Sequence, residues 1–165
     1  MAEATYFVGT TSSASAPNKV HLCLMNSAGS GRLMKIYQVR VSAAPSAAVV
    51  GLMIPLGVYR TSTQPTGGTV VKLYAAATGE VVVAAATAVC QIFPTNALTI
   101  EQSPFGVGVV MAEETLATTG QDLYNFAISG MRPIECAPGT GVAIRQGVIA
   151  AASGALSCTV FFTLV

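Results

Sequence analysis

Val20-His-Leu-Cys-Leu-Met-Asn-Ser-Ala-Gly-Ser-Gly-Arg-Leu-Met-Lys-Ile-Tyr37 is the stretch whose reading decides the fold. Val20, Leu22 and Leu24 alternate with His21, Cys23 and Met25. Leu33, Lys35, Tyr37, Val39 and Val41 then alternate with Met34, Ile36, Gln38 and Arg40. A period of two places successive side chains on opposite faces of an extended chain. Between the runs, Asn26-Ser-Ala-Gly-Ser-Gly31 is a loop of turn-forming residues. The reading is strand, loop, strand, and the pair is expected to form a hairpin or its near relative.

The same rhythm continues outward. Val49–Arg60, Thr69–Ala75, Val81–Val83, Val89–Phe93, Phe105–Met111, Leu123–Ile128, Val142–Ile149 and Leu156–Leu164 read as further strands, with Gln64-Pro-Thr-Gly-Gly68 and Thr78-Gly79 as turns. No segment holds an apolar 3.6-residue period beyond two turns, and Glu113–Leu116 is the best place for a short helix. Towards the start, Ala4–Val8 is a short apolar run, followed by a Ser/Thr/Ala linker that ends at Pro17. The expectation is an all-β chain: residues 1–17 as an N-terminal arm and 18–165 as one antiparallel β-sandwich domain.

Charge is scarce. Lys, Arg, Asp and Glu make up 9% of the 165 residues, where an ordinary soluble domain carries about 25%. So thin a coat protects poorly against association, and it points to a surface partly covered by neighbouring subunits. The net charge of +1, without a basic run, and the absence of Trp argue against nucleic acid as a partner. The charge-free stretches Val41–Tyr59 and Val81–Ile100 are broken by Pro45, Gly51, Pro55, Gly57, Pro94 and Asn96. Gln146–Val165 is interrupted at Ser153-Gly154, so no membrane partner is expected. Met1-Ala2-Glu3-Ala4 shows no secretory signal, so synthesis in the cytosol is expected.

Reaction chemistry is missing from the pattern. His21 is the one histidine and Asp122 the one aspartate, and no nucleophile elbow, phosphate loop or H-E-x-x-H accompanies them. Glu113-Glu114 is the one adjacent carboxylate pair, and neighbours on an extended chain face opposite ways. Cys23, Cys90, Cys136 and Cys158 are too scattered for a zinc site and read as reduced, buried thiols, with a structural disulfide as the alternative. Cys158 shares a face with Leu156, Val160, Phe162 and Leu164. Neither an enzyme nor a cofactor or metal is expected.

Candidate contacts for assembly are Tyr6, Phe7, Arg32, Lys35, Arg132 and Arg145. Tyr6 and Phe7 are either core residues of a first strand or aromatic anchors of an arm docked on another chain. The four cations are either solvated or paired with carboxylates of a neighbouring subunit, where they would fix register more than affinity.

Val20–Tyr37 resembles the hydrophobic strand, Asn-x-x-Gly-Ser-Gly, basic strand opening of small tailed-bacteriophage virion proteins. Arg132-Pro-Ile-Glu-Cys-Ala-Pro-Gly-Thr-Gly-Val-Ala-Ile-Arg-Gln146 resembles their Pro-Ile-x-Leu-x-Pro-Gly-x-Gly-Val turn, with Cys136 standing where Leu is expected. With the strand rhythm, the likeness spans Lys19 to Leu164. The resemblance implies a jelly-roll-like sandwich and a homo-oligomer, with a trimer the expected state. It further implies a place on the virion, where the protein decorates or cements the shell of major capsid protein. A receptor- or glycan-binding module of a tail fibre or TNF-like domain is the alternative.

Overall fold

The computed structural model describes residues 5–10, 13–14, 16–44, 51–75, 87–112, 120–130, 132–148 and 155–165. Two antiparallel sheets pack face to face. The strands are β1 (Thr5–Gly9), β2 (Ser13–Ala14), β3 (Val20–Asn26), β4 (Met34–Ala44), β5 (Leu52–Thr61), β6 (Thr69–Val71) and β7 (Tyr74–Ala75). They continue as β8 (Ala88–Ile92), β9 (Gly106–Ala112), β10 (Gln121–Asn125), β11 (Ile134–Cys136), β12 (Gly141–Gln146) and β13 (Ala155–Leu164).

One sheet runs β10-β4-β13-β1-β7, with β11 beside β4 and β2 beside β13. The other runs β6-β8-β3-β12-β5-β9. The eight strands β1, β3, β4, β5, β9, β10, β12 and β13 give the orders β1-β13-β4-β10 and β3-β12-β5-β9, the interleaving of a jelly roll. The all-β sandwich expected from the alternation is the observed architecture.

The core lies between the inner faces. Val8, Ile36, Val39, Val160 and Phe162 meet Leu22, Leu24, Ile54, Val58 and Ile144, all fully buried. On most strands these are the inward set of the alternation, but β4 breaks its period: Ile36 and Val39, expected on opposite faces, both point inward because the pairing with β13 skips Tyr37 in a bulge.

Four expectations change. Val20–Tyr37 is no hairpin: β3 pairs with β8 and β12, whereas β4 pairs with β10, β11 and β13 in the opposite sheet. Alternation fixes which face a residue takes but leaves the pairing partner open, and the long loop between them spans the roughly 10 Å between sheets. Thr69–Ala75 likewise divides, β6 joining one sheet and β7 the other. The expected strand Leu123–Ile128 stops at Asn125, whose Oδ1 accepts the Ala127 N–H (3.1 Å) to cap a short helix, α1 (Phe126–Ser129). Finally, the arm is partly sheet: β1 lies between β13 and β7, with Tyr6 and Val8 inward and Phe7 outward. The strand expected at Val81–Val83 and the short helix expected at Glu113–Leu116 lie outside the described residues.

Asn26 closes one end of the sandwich and is wholly buried. Its Nδ2 donates to the carbonyls of Arg32 (2.7 Å) and Cys136 (2.9 Å). Its backbone N–H donates to Thr140 O (3.0 Å), and its carbonyl accepts from Gly139 N (2.9 Å). The Asn-x-x-Gly-Ser-Gly loop and the Pro-Gly turn, over a hundred residues apart in the chain, are therefore fastened to one side chain.

Candidate functional site

His21 tests the catalytic possibility first. It lies on β3, is 2% exposed, and Nε2 stands 3.2 Å from Gln146 Oε1, which also accepts the Ala16 N–H (3.0 Å). Phe93 meets the imidazole edge-on at 5.9 Å. Burial pushes its pKa down to about 4, against a smaller opposite effect from the Gln146 contact, and the nearby Lys19 charge pushes it the same way as burial. The ring is therefore neutral at pH 7. Asp122 is in the opposite sheet, where Oδ1 accepts from Gln38 Nε2 (2.8 Å) and Oδ2 from Asn125 Nδ2 (2.8 Å). The two groups do not converge. Glu113-Glu114 lies outside the described residues.

The cysteines are all buried free thiols. Burial pushes Cys23 and Cys158 up to about 12 and Cys136 to about 11, while Cys90 rises well above its usual range. A thiol held protonated in this way is a poor nucleophile and a poor metal ligand. Among the described residues, no group of three or more His, Cys, Asp or Glu side chains could hold a metal ion.

Two concave features straddle the sheets at the β9–β10 edge of the sandwich, and a third lies beside the crossovers. Two crossover segments, 62–68 from β5 to β6 and 93–105 from β8 to β9, must each pass the β3–β12 centre of their sheet. They are stitched together by Thr95 N to Thr66 O (3.0 Å), Thr66 N to Asn96 Oδ1 (2.8 Å), Asn96 Nδ2 to Gln64 O (2.9 Å) and Thr99 N to Thr63 Oγ1 (3.0 Å). Beside the second segment opens a cleft of about 400 Å³ bordered by Asn18, Lys19, Pro94, Asn96, Leu98 and Arg145.

Further along the same sheet, β9 forms an edge strand whose Val107, Val109 and Met111 are 67%, 49% and 43% exposed. Cross-strand pairing sets Val109 against Pro55 and Met111 against Met53, itself 60% exposed, so the side chains form one apolar strip. On the outer face of the opposite sheet, Phe7 stacks on Tyr74 (5.7 Å) and touches Phe161 (6.3 Å), a row across β7, β1 and β13.

The sequence-predicted contacts separate accordingly. Tyr6 is withdrawn as a contact, because it is 7% exposed and packs on Phe162 at 5.5 Å. Phe7 belongs to the outward aromatic row. Arg32 and Arg132 are exposed, and Lys35 lies opposite Glu135 across the β4–β11 ladder. Arg145 is in the other sheet, on the cleft. Sequence reasoning missed Asn18, Lys19, Asn96 and the β9 strip. The Val-Gly-Val-Val-Met run was a visible signal for the strip, but the cleft had no local one.

Comparison with protein-family models, with characterised proteins and with solved structures gives no match. No helix among the described residues is long and apolar enough to cross a membrane.

Proposed function

We propose that this protein is a virion structural protein of the capsid decoration or cement type, a self-associating jelly roll that strengthens a shell by adding contacts between its subunits. The observation that carries the reading is the apolar strip on β9 and β5. An edge strand offers unpaired backbone groups, and natural proteins usually guard it with charge, Pro or a covering segment. Here the exposed residues of β9 are Val107, Val109 and Met111. Such a strip suits a partner, and the scarcity of charge on the whole chain agrees.

The expected assembly is a homotrimer that docks on major capsid protein, each interface burying about 800 Å² per partner. Many small contacts repeated over a shell add up through multivalency. Light scattering on the purified chain, beside a Val109→Lys variant, gives the first test. The expected result is a multiple of the 16.8 kDa chain mass that the variant shifts towards the monomer. Electron microscopy of particles carrying the protein should then show density across the shell. A monomer at micromolar concentration that leaves shells undecorated refutes the proposal.

A second reading, a receptor- or glycan-binding module, is favoured by the cleft between Lys19, Asn96 and Arg145. Density confined to a tail tip would support it over decoration.

A further inference from the structure

We infer that the cleft beside the 93–105 crossover is a binding site for a carboxylated sugar unit. The inference rests on the recognition reading above and names the ligand class for it.

Charge is the first argument. Two of the chain's eight cations, Lys19 and Arg145, border this one cleft, and among the described residues no carboxylate does. Arg145 Nη2 donates to Asn18 Oδ1 (2.8 Å) and Nε to Asn18 O (3.5 Å), which fixes the plane of the guanidinium and leaves its Nη1 end for an acceptor. Lys19 Nζ lies 4.3 Å from the centre of the Phe93 ring, so the ammonium is held over an aromatic face. A planar fork beside a point charge is a receptor for a carboxylate.

Rigidity is the second. The cleft wall is tied by Asn18 N to Gly147 O (3.2 Å) and Gln146 N to Lys19 O (2.8 Å). Asn18 (φ 58°) and Phe93 (φ 52°) are the two non-glycine residues at positive φ among those described. Asn adopts that region readily, whereas a bulky aromatic there is an outlier. Phe93 is held in it between His21, Lys19 and the backbone of Gly68, where an added Cβ would lie 3.0 Å from Phe93 C. Strain of this kind gathers at sites that need a fixed geometry.

Size and lining choose among carboxylates. The volume of about 400 Å³ falls within the range of small-molecule pockets and far exceeds a lone aspartate or glutamate side chain. Asn18, whose Oδ1 holds Arg145, has its Nδ2 as a donor of the kind that meets hydroxyls, while Asn96 is spent on the crossovers and serves as a fixed polar wall. Pro94 and Leu98 offer an apolar wall for the C–H face of a pyranose.

Titrating the full chain with sodium glucuronate, glucose and sodium acetate, followed by amide and Arg Nε resonances, tests the inference. Glucuronate should shift Lys19, Asn96 and Arg145 saturably, with acetate and glucose each weaker by at least about tenfold. Arg145→Gln and Lys19→Gln should each weaken glucuronate by a similar factor, with an unchanged melting temperature showing that the fold is intact. Equal binding of acetate would mark an unspecific anion pocket and overturn the inference. Absence of any shift at about 20 mM glucuronate would overturn it too. Glucose binding as well as glucuronate at the same residues would overturn the acidic class while leaving the recognition reading standing.

Discussion

Replacing Asn26 by Leu keeps the branched shape and the number of heavy atoms and removes the amide. The cost follows from the contacts: Nδ2 holds the Arg32 and Cys136 carbonyls at 2.7 and 2.9 Å, both inside the protein end that Asn26 closes. Losing a buried partner costs about 1–3 kcal/mol for each group left unsatisfied. Solvent can reach part of the Arg32 side, so about 3 kcal/mol in total is the expected loss. At about 2–4 °C per kcal/mol for a domain of this size, the melting temperature should fall by roughly 6–12 °C. Asn26→Asp should cost at least as much, because a carboxylate presents no donor to the two carbonyls. Denaturant unfolding at fixed protein concentration supplies the free energy, and an unchanged m-value would place the loss in the native contacts. A Leu variant within about 0.5 kcal/mol of the parent would refute the view that this amide fastens the two turns.

Stability should also fall as the medium is acidified. Folded His21 titrates near 4, below its unfolded value of 6.5, so the unfolded chain takes up the proton first. The contribution is complete above pH 6.5 and fades as pH drops towards 4, about 3 kcal/mol in all; chemical denaturation across that range should show it, and His21→Gln should flatten it. Thiol titration at pH 8 should find the four cysteines unreactive in the folded chain and reactive in denaturant, since burial keeps them protonated; rapid labelling of the native protein would contradict their placement. Gly106→Ala should destabilise strongly, by about 2–4 kcal/mol, because the new methyl would lie 2.0 Å from the Leu123 carbonyl oxygen. Gly108→Ala should cost less, since its nearest neighbours are the side-chain ends of Leu123 and Gln121.

Much of the sandwich was legible because alternation is a local property. Tyr6 and Val8, Leu22 and Leu24, and Val160 and Phe162 declare their inward face two residues at a time. Pairing is different. Nothing within Val20–Tyr37 says that β3 will find β12, whose residues lie beyond position 140. Bulges deepen the difficulty: the register slips between Phe161 and Phe162 on β13, and between Asp122 and Tyr124 on β10. Tyr6 and Phe7 were indistinguishable as a dipeptide until β13 and β7 flanked them. The cleft was harder still, because its cations stand 126 positions apart and meet only through the β3–β12 ladder. The left-handed backbone of Phe93 has no signature in residue type.

β13 has a bearing on how the chain is made. This strand sits between β4 and β1, pairing Thr5 with Thr163 on one side and Met34 with Leu164 on the other. Until β13 has left the ribosome, β1 and β4 have an empty lane between them, and the sheet cannot zip shut. A chain interrupted before β13 should therefore yield an exposed, aggregation-prone intermediate. β1 and β4, made early, wait on a strand made more than a hundred residues later.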